Sequence, residues 1–337
     1  MPVKRGFCFF IFISLIYFFN SSPSGYAEPV KKPYAGTITI GLAIWPGYFP
    51  LLVARDKGYF TKEGLNVEIK VYVGLADLSK DYTAGKMQGR ANLTLDAINE
   101  SIAGLDHKVV LAIDYSNGSD AIMATQAIQS IQDFKGKKVG YELNTLEEFF
   151  LTWALAENGM SLSDVVSINA NPEESAKQLK AGQVDAAVTY EPFMSQFLSP
   201  QDFHPVYSSK DAPGLISDIL TFRTDFIQTH PETMEALIRA YFKGVRFWKE
   251  HPEEANAITA KEYKDTPESI AHQLEGIKIL DEKDNMIAFT FAAGLRSLYG
   301  NLRQIEKFIR KSQGGKKASL DTDKLIDRTF IKKITQD

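Results

Sequence analysis

The sequence predicts an α/β protein of two lobes joined by two crossover segments. Three observations point to it. Short apolar strands alternate with helical segments along most of the chain, the pattern of a mostly parallel sheet covered on both faces. Two polar, turn-forming stretches, at 114–120 and 208–214, interrupt that alternation. About 310 residues remain once an N-terminal leader is set aside, a length that suits two domains.

The chain is organised around residues 37–73. Ile38, Ile40, Leu42 and Ile44 recur at period two and predict a strand. Trp45-Pro46-Gly47-Tyr48 turns the chain, and a short helix is expected from about Pro50, where a missing N–H costs nothing. Gly58 stops that helix, Lys62-Glu63-Gly64 makes a second turn, and 65–73 forms a second strand. In an open α/β sheet, the turn holding Trp45 and Tyr48 lies at the carboxyl end of a strand, where ligands bind.

Beyond this unit a helix is expected over 78–85, a strand over 91–95, a helix over 96–104 and a strand over 109–113. Asp114-Tyr115-Ser116-Asn117-Gly118-Ser119-Asp120 is read as the first crossing between lobes. A second run then follows: strand 138–141, helix 146–158, strand 165–168, helix 172–181, strand 186–189 and a short helix over 191–198. Thr145 with Glu148 three residues later has the form of a capping box. The break at 208–214 leads into a strand over 218–223, read as the return to the first lobe. Pro231, Pro252 and Pro267 each open a helix in the remainder. The expected boundaries are a leader over 1–27, lobe 1 over 36–115 and 218–310, lobe 2 over 116–217, and a C-terminal tail over 311–337, whose stretch 311–317 is basic, Gly-rich and expected to be exposed.

The leader is read from Lys4 and Arg5, an apolar run over 7–19 and a small-x-small cleavage site at Gly25-Tyr26-Ala27. It contains Cys8, the one cysteine of the sequence, so a cleaved chain has no thiol for disulfides, metal ligation or nucleophilic attack. Removing Lys4 and Arg5 from 38 basic residues leaves 36 against 42 acidic ones, a net charge of −6 that argues against nucleic acid as a partner. The five histidines are scattered without ligand spacing, so no metal is expected. Neither a nucleophile elbow nor a Gly-rich phosphate loop is present, and neither an enzyme nor a cofactor is expected.

Ala54, Gly58, Tyr59, Phe60, Gly64, Leu65 and Val67 resemble a pattern of the periplasmic solute-binding proteins of nitrate, sulfonate and taurine ABC importers, a group that also holds thiamine-pyrimidine binders. Asp133-Phe134-Lys135-Gly136-Lys137-Lys138-Val139-Gly140 resembles that family's entry into its second domain. Residues 181–187 with Tyr190-Glu191-Pro192-Phe193 resemble its exit. The likeness runs from about Thr37 to about Ala260. It implies a type II periplasmic binding fold that closes on a small-molecule ligand and delivers it to an ABC permease in the inner membrane. It also implies a periplasmic, monomeric protein. A related enzyme class, the thiamine-pyrimidine synthases, uses a cysteine-rich motif absent here.

The candidate ligand-binding residues are Trp45, Tyr48, Thr94, Asp96, Ser116, Asn117, Asp120, Asn144, Thr145, Tyr190, Glu191 and Asp218. The aromatics suit a pocket wall by stacking or cation–π contact. Asp96, Asn144 and Thr145 stand at helix starts, where capping is the competing role, and the resemblance places Asp96 at a pocket position. Ser116, Asn117 and Asp120 lie on the first crossover, where bending alone also explains them, and Asp218 opens the second. Glu191 is the leading polar candidate, since the resemblance turns its Tyr-Glu-Pro-Phe segment toward ligand. The candidate loops carry Asp96, Asp114, Asp120, Glu191 and Asp218 but no Lys or Arg. Two unit charges about 4 Å apart interact by about 4 kcal/mol at an effective dielectric near 20, so a cationic or neutral nitrogenous solute (amine, guanidine-type or pyrimidine-type) is expected. The alternatives are a sulfonate, taurine or nitrate anion, a sensing role beside a membrane signalling protein, and a pyrimidine-processing enzyme.

Overall fold

Among the described residues, eleven strands build two separate sheets. A computed structural model describes residues 1–3, 32–72, 75–312 and 320–336. The expected leader lies outside the described residues except for its first three positions. The strands are β1 (Thr37–Ala43), β2 (Asn66–Tyr72), β3 (Gly89–Leu93), β4 (His107–Ser116), β5 (Asp120–Thr125), β6 (Lys138–Tyr141), β7 (Val166–Asn169), β8 (Ala186–Tyr190), β9 (Phe203–Ser208), β10 (Ser217–Arg223) and β11 (Ile277–Ile279). The first sheet has the order β11-β4-β10-β3-β1-β2 and the second the order β7-β6-β8-β5-β9. Every strand between Asp120 and Ser208 belongs to the second sheet, and every strand before or after belongs to the first.

The period-two reading of the opening strand holds in space. Ile38, Ile40 and Leu42 are fully buried in β1, which pairs in parallel with β2 and β3. The turn after it runs through a short 3-10 segment, Pro46–Tyr48, into the helix Phe49–Asp56. That helix lies against Pro231–Glu250, the longest described helix, where the missing side chain of Gly244 lets the two backbones approach.

Three strands escaped the sequence reading. Ala121-Ile122-Met123-Ala124 is the interior of β5, buried throughout, where only a crossing was read. Proline at position 205 argues against a central strand, and β9 sits at the edge of its sheet, where a missing N–H is tolerated. β11 is only three residues long. The sheets are also more mixed than expected: β5 and β10, each following a crossover, run antiparallel to both of their neighbours.

The helix Leu298–Ser312 absorbs the start of the expected tail. Residues 313–319, its basic centre, lie outside the described residues. From 320 on the chain packs back: Leu325, Ile326, Phe330 and Ile331 are buried, and Ile326 bridges Val109 of β4. The end of the sequence therefore completes the layer over the first sheet, because its apolar residues need cover.

Two connections join the sheets. Asn117 and Ser119 donate their N–H groups to the carbonyl of Gly276 at 2.8 and 3.1 Å. The Ser209 hydroxyl, on the return connection, accepts from the Gly118 N–H at 2.6 Å and pairs with the Ser116 hydroxyl at 2.7 Å. Gly118 itself has a φ of +124°, which a side chain would resist. The two sheets do not stand apart as isolated globules. One apolar cluster contains both Ile40 and Val139, and Phe308 of Leu298–Ser312 packs on Phe149 of the helix Leu146–Glu157 at 4.8 Å between ring centroids.

Candidate functional site

A cavity of about 750 Å³ is lined by residues of both sheets. Its wall is supplied by the carboxyl ends of β1, β3, β6, β7 and β8, together with the amino ends of the antiparallel β5 and β10. This is where open α/β sheets offer loops and unpaired helix starts to a ligand. Of the twelve candidate residues, Trp45, Tyr48, Asp96, Asp120, Asn144, Thr145, Tyr190 and Asp218 line it.

On the first-sheet side, β4 and β10 pair in a register that sets Asp218 opposite Asp114. Both are buried. Burial, reinforced by the Asp218 charge, pushes Asp114 well above the carboxylate range, while Trp45 opposes the shift. Burial likewise raises Asp218 to about 8. The Tyr48 hydroxyl donates to Asp218, and the Trp45 indole N–H lies 3.3 Å from an Asp114 oxygen. The Tyr263 hydroxyl fixes the Trp45 carbonyl at 2.9 Å. Gly47 allows this packing: a Cβ there would lie 2.2 Å from an Asp114 carboxylate oxygen.

Asp96 occupies the first turn of the helix Thr94–Ile102 and pairs with the buried Arg90 at 3.2 Å. Its carboxyl is raised by burial against the pull of Arg90 and of the Leu93 N–H. The helix-start role and the cavity position therefore coexist. Arg90 also pairs with Glu100 behind the wall.

On the second-sheet side, Asp120 of β5 stands opposite Tyr190 of β8. Asp120 is 6% exposed, and its Oδ2 has no hydrogen-bond partner among the described residues. Burial raises this carboxyl to about 6 and that of Glu147 to about 7. The Tyr190 phenol is raised by burial and by the charges of Glu147, Asp120 and Glu142 around it. Phe193 packs on Tyr190 at 5.4 Å between ring centroids. The Thr145 hydroxyl donates to the Glu142 carbonyl at 2.7 Å and to the Glu147 carboxylate, so it does not accept from the helix as a capping box requires. Glu148 receives the N–H of Asn144 instead, at 2.7 Å.

Four candidates do not line the cavity. Thr94 is buried as the first residue of its helix. Ser116 and Asn117 are spent on the connections between the sheets. Glu191 turns to Ser195 and accepts from its N–H at 3.2 Å and its hydroxyl at 2.8 Å, a local bond that outcompetes the cavity. Glu191→Ala is therefore expected to cost about 1 kcal/mol of stability, read by urea unfolding. It should alter ligand affinity by less than about threefold.

The sequence reading missed Asn92, Asn99, Glu142, Glu147, Asn171 and Glu173, all of which line the cavity. Glu142 and Asn171 lie within two residues of the ends of β6 and β7, so the carboxyl-end rule that singled out Trp45 would have found them. Among the described residues neither lysine, arginine nor histidine lines the cavity; Lys177 pairs with Glu173 at 2.6 Å.

Two α/β lobes around such a cavity define the type II periplasmic binding fold. Structural comparison agrees: the periplasmic aliphatic sulphonate binding protein of Escherichia coli superposes with a TM-score of 0.72 at 15% identity, covering 88% of this chain and 98% of that one. The chain belongs to the NMT1/THI5-like family, whose model matches residues 45–255. A Brucella abortus (strain 2308) relative, provisionally named a binding protein, is 26% identical over 223 residues, 62% of this chain and 66% of that protein, so the match stops just short of two thirds of its length. A Bacillus subtilis (strain 168) relative, provisionally named an aliphatic sulfonates-binding protein, is 25% identical over 304 residues, 88% of either chain. A Saccharomyces cerevisiae relative named a 4-amino-5-hydroxymethyl-2-methylpyrimidine phosphate synthase is 23% identical over 248 residues, 65% of this chain and 72% of that one.

Proposed function

We propose that this protein is the periplasmic capture component of an ABC importer and that its solute is a small cationic nitrogen compound. The lobes of the proposed receptor are the first sheet with its helices and residues 320–336, and the second sheet over residues 120–208 with its helices. They close on the solute about the connections near Gly118 and Ser209, and the permease reads the closed form. Residues 1–27 direct export in this reading. Capture and release need no covalent step, and no enzyme role is assigned.

The observation that carries the ligand class is Asp120. Asp120 lines the cavity, and its buried Oδ2 has no hydrogen-bond partner among the described residues, which costs free energy unless a donor or cation arrives. Asp218, Glu147 and Glu142 stand around the same cavity. The names of the sulfonate-binding relatives favour an anion as the second reading. Against it, an anion here would meet carboxyl groups with no lysine, arginine or histidine among the described lining residues to offset them.

A thermal-shift panel of amines, guanidines, pyrimidines, nitrate and sulfonates separates the readings, since a ligand that binds only the folded state raises Tm. A cation is expected to give the largest shift, and a shift by taurine or nitrate alone would reverse the assignment. Asp120→Asn should weaken the cation by about tenfold or more, through loss of a charge-assisted hydrogen bond.

A further inference from the structure

We infer that the solute is an amphipathic monocation, its cationic head seated against Asp120 of the second sheet and its apolar body lying on Ile44, Trp45 and Leu93 of the first. This rests on the cationic reading above and narrows it to a class, amines that carry one charge and an apolar chain or ring.

The polar groups of the wall are unevenly supplied with partners. On the first-sheet side both carboxyl groups of the lining are engaged: Arg90 pairs with Asp96 at 3.2 Å, and the Tyr48 hydroxyl donates to Asp218. Asn92 accepts from the Thr221 hydroxyl at 3.3 Å. Burial also holds Asp218 at about 8, so this side presents little charge at neutral pH. On the second-sheet side, Asp120 is 6% exposed and its Oδ2 has no partner among the described residues. Tyr190 stands opposite it, with Phe193 packed on the tyrosine ring. An ammonium group there meets a buried carboxylate and an aromatic neighbour together. The other acids of that side are served already: Thr145 donates to Glu147, Lys177 pairs with Glu173, and Glu142 is half-buried, within reach of solvent. One unpartnered buried oxygen calls for one cation.

What the first sheet offers the cavity is apolar surface. β1 and β3 are neighbours in that sheet, and their carboxyl ends bring Ile44 and Trp45 beside Leu93 in the wall. Ile38, Ile40 and Leu42 form a fully buried period-two row, and Ile44, the next in that row, emerges 47% exposed. Covering this surface with an apolar body is favourable. A second charge there would lose its water without gaining a partner. A cavity of about 750 Å³ has room for a molecule larger than one simple ammonium ion.

Calorimetry of the intact protein with methylamine, pentylamine and cadaverine tests the inference. The first two share a head and differ in apolar body, and the third adds a cation at the far end of the same spacer. Pentylamine is expected to bind about tenfold to a hundredfold more tightly than methylamine, through the methylenes it buries. Cadaverine is expected to bind about tenfold more weakly than pentylamine, because its second ammonium meets the apolar face. Ile44→Ala should shrink the preference for pentylamine over methylamine by about threefold or more. Circular dichroism checks that this variant folds, and the three amines on the unaltered protein decide the question if it does not. Methylamine or cadaverine binding as tightly as pentylamine, or an unchanged preference in folded Ile44→Ala, would overturn the amphipathic class and leave the cationic reading standing. Failure of all three amines would overturn the inference, and a sulfonate or nitrate bound in their place would overturn the cationic reading with it.

Discussion

Asp218→Asn is expected to remove much of the fall in stability that the wild-type protein shows between about pH 4 and pH 8. Burial and the neighbouring carboxyl groups raise Asp218 to about 8, whereas an unfolded aspartate titrates near about 3.9. Across that interval the folded state keeps a proton that the unfolded chain has released. The folded state therefore binds more protons, and stability declines as pH rises, with the loss complete above about pH 8. Four pH units would amount to on the order of 5 kcal/mol at most, because Asp218 titrates together with Asp114, which is raised as well. An asparagine keeps the shape and the bonds: its oxygen can accept from Tyr48, and its amide can donate to Asp114.

Other groups titrate in the same interval, so the difference between the two proteins is the measurement. Asp120, Glu147 and Glu100, raised to about 6, 7 and 7, act in the same direction as Asp218. His107, lowered to about 4 by burial, acts in the opposite one: its unfolded form takes up a proton first, so stability gains as pH rises toward about 6.5. Urea unfolding of both proteins at pH 5 and pH 8 isolates the Asp218 contribution. Parallel losses in the two would mean that Asp218 holds no extra proton.

Local pattern was enough to find the opening unit. Alternation in β1, the turn residues and Gly58 are all signals carried within a few positions, and they place Trp45 and Tyr48 at a strand's carboxyl end. The acidic lining was harder to read because register creates it. Asp218 meets Asp114, and Asp120 meets Tyr190, through antiparallel pairings across long sequence separations. Period-two alternation says which face a residue takes but not which strand lies beside it. Glu147 was missed for a related reason. It sits one position before the acid that completes a capping pattern, and the helix start tips it, rather than Glu148, into the cavity. Glu191 erred the other way. A strand end made it a candidate, and a serine four residues on supplied a nearer partner.

Gly244→Ala sets two effects of opposite sign against each other. In an isolated helix the exchange would stabilise by about 1 kcal/mol, since glycine is the poorer helix former. In Pro231–Glu250, however, a Cβ at this position would lie 2.4 Å from the Pro50 carbonyl oxygen and 3.2 Å from its carbon. The obstacle is backbone and has no rotamer to escape into. The helices must separate by about 1 Å to restore ordinary contact. Overpacking of this kind costs about 1–3 kcal/mol, occasionally more, and is expected to exceed the propensity gain. The cost also reaches the cavity. Phe49–Asp56 follows directly on the turn that carries Trp45 and Tyr48, so moving Pro50 pulls Tyr48 from Asp218 and Trp45 from Asp114. Gly244→Ala should therefore lower Tm and weaken binding of the solute that the thermal-shift panel identifies, together, from a position outside the cavity lining. A variant that melted higher and bound as before would show that the two helices can part without disturbing the turn.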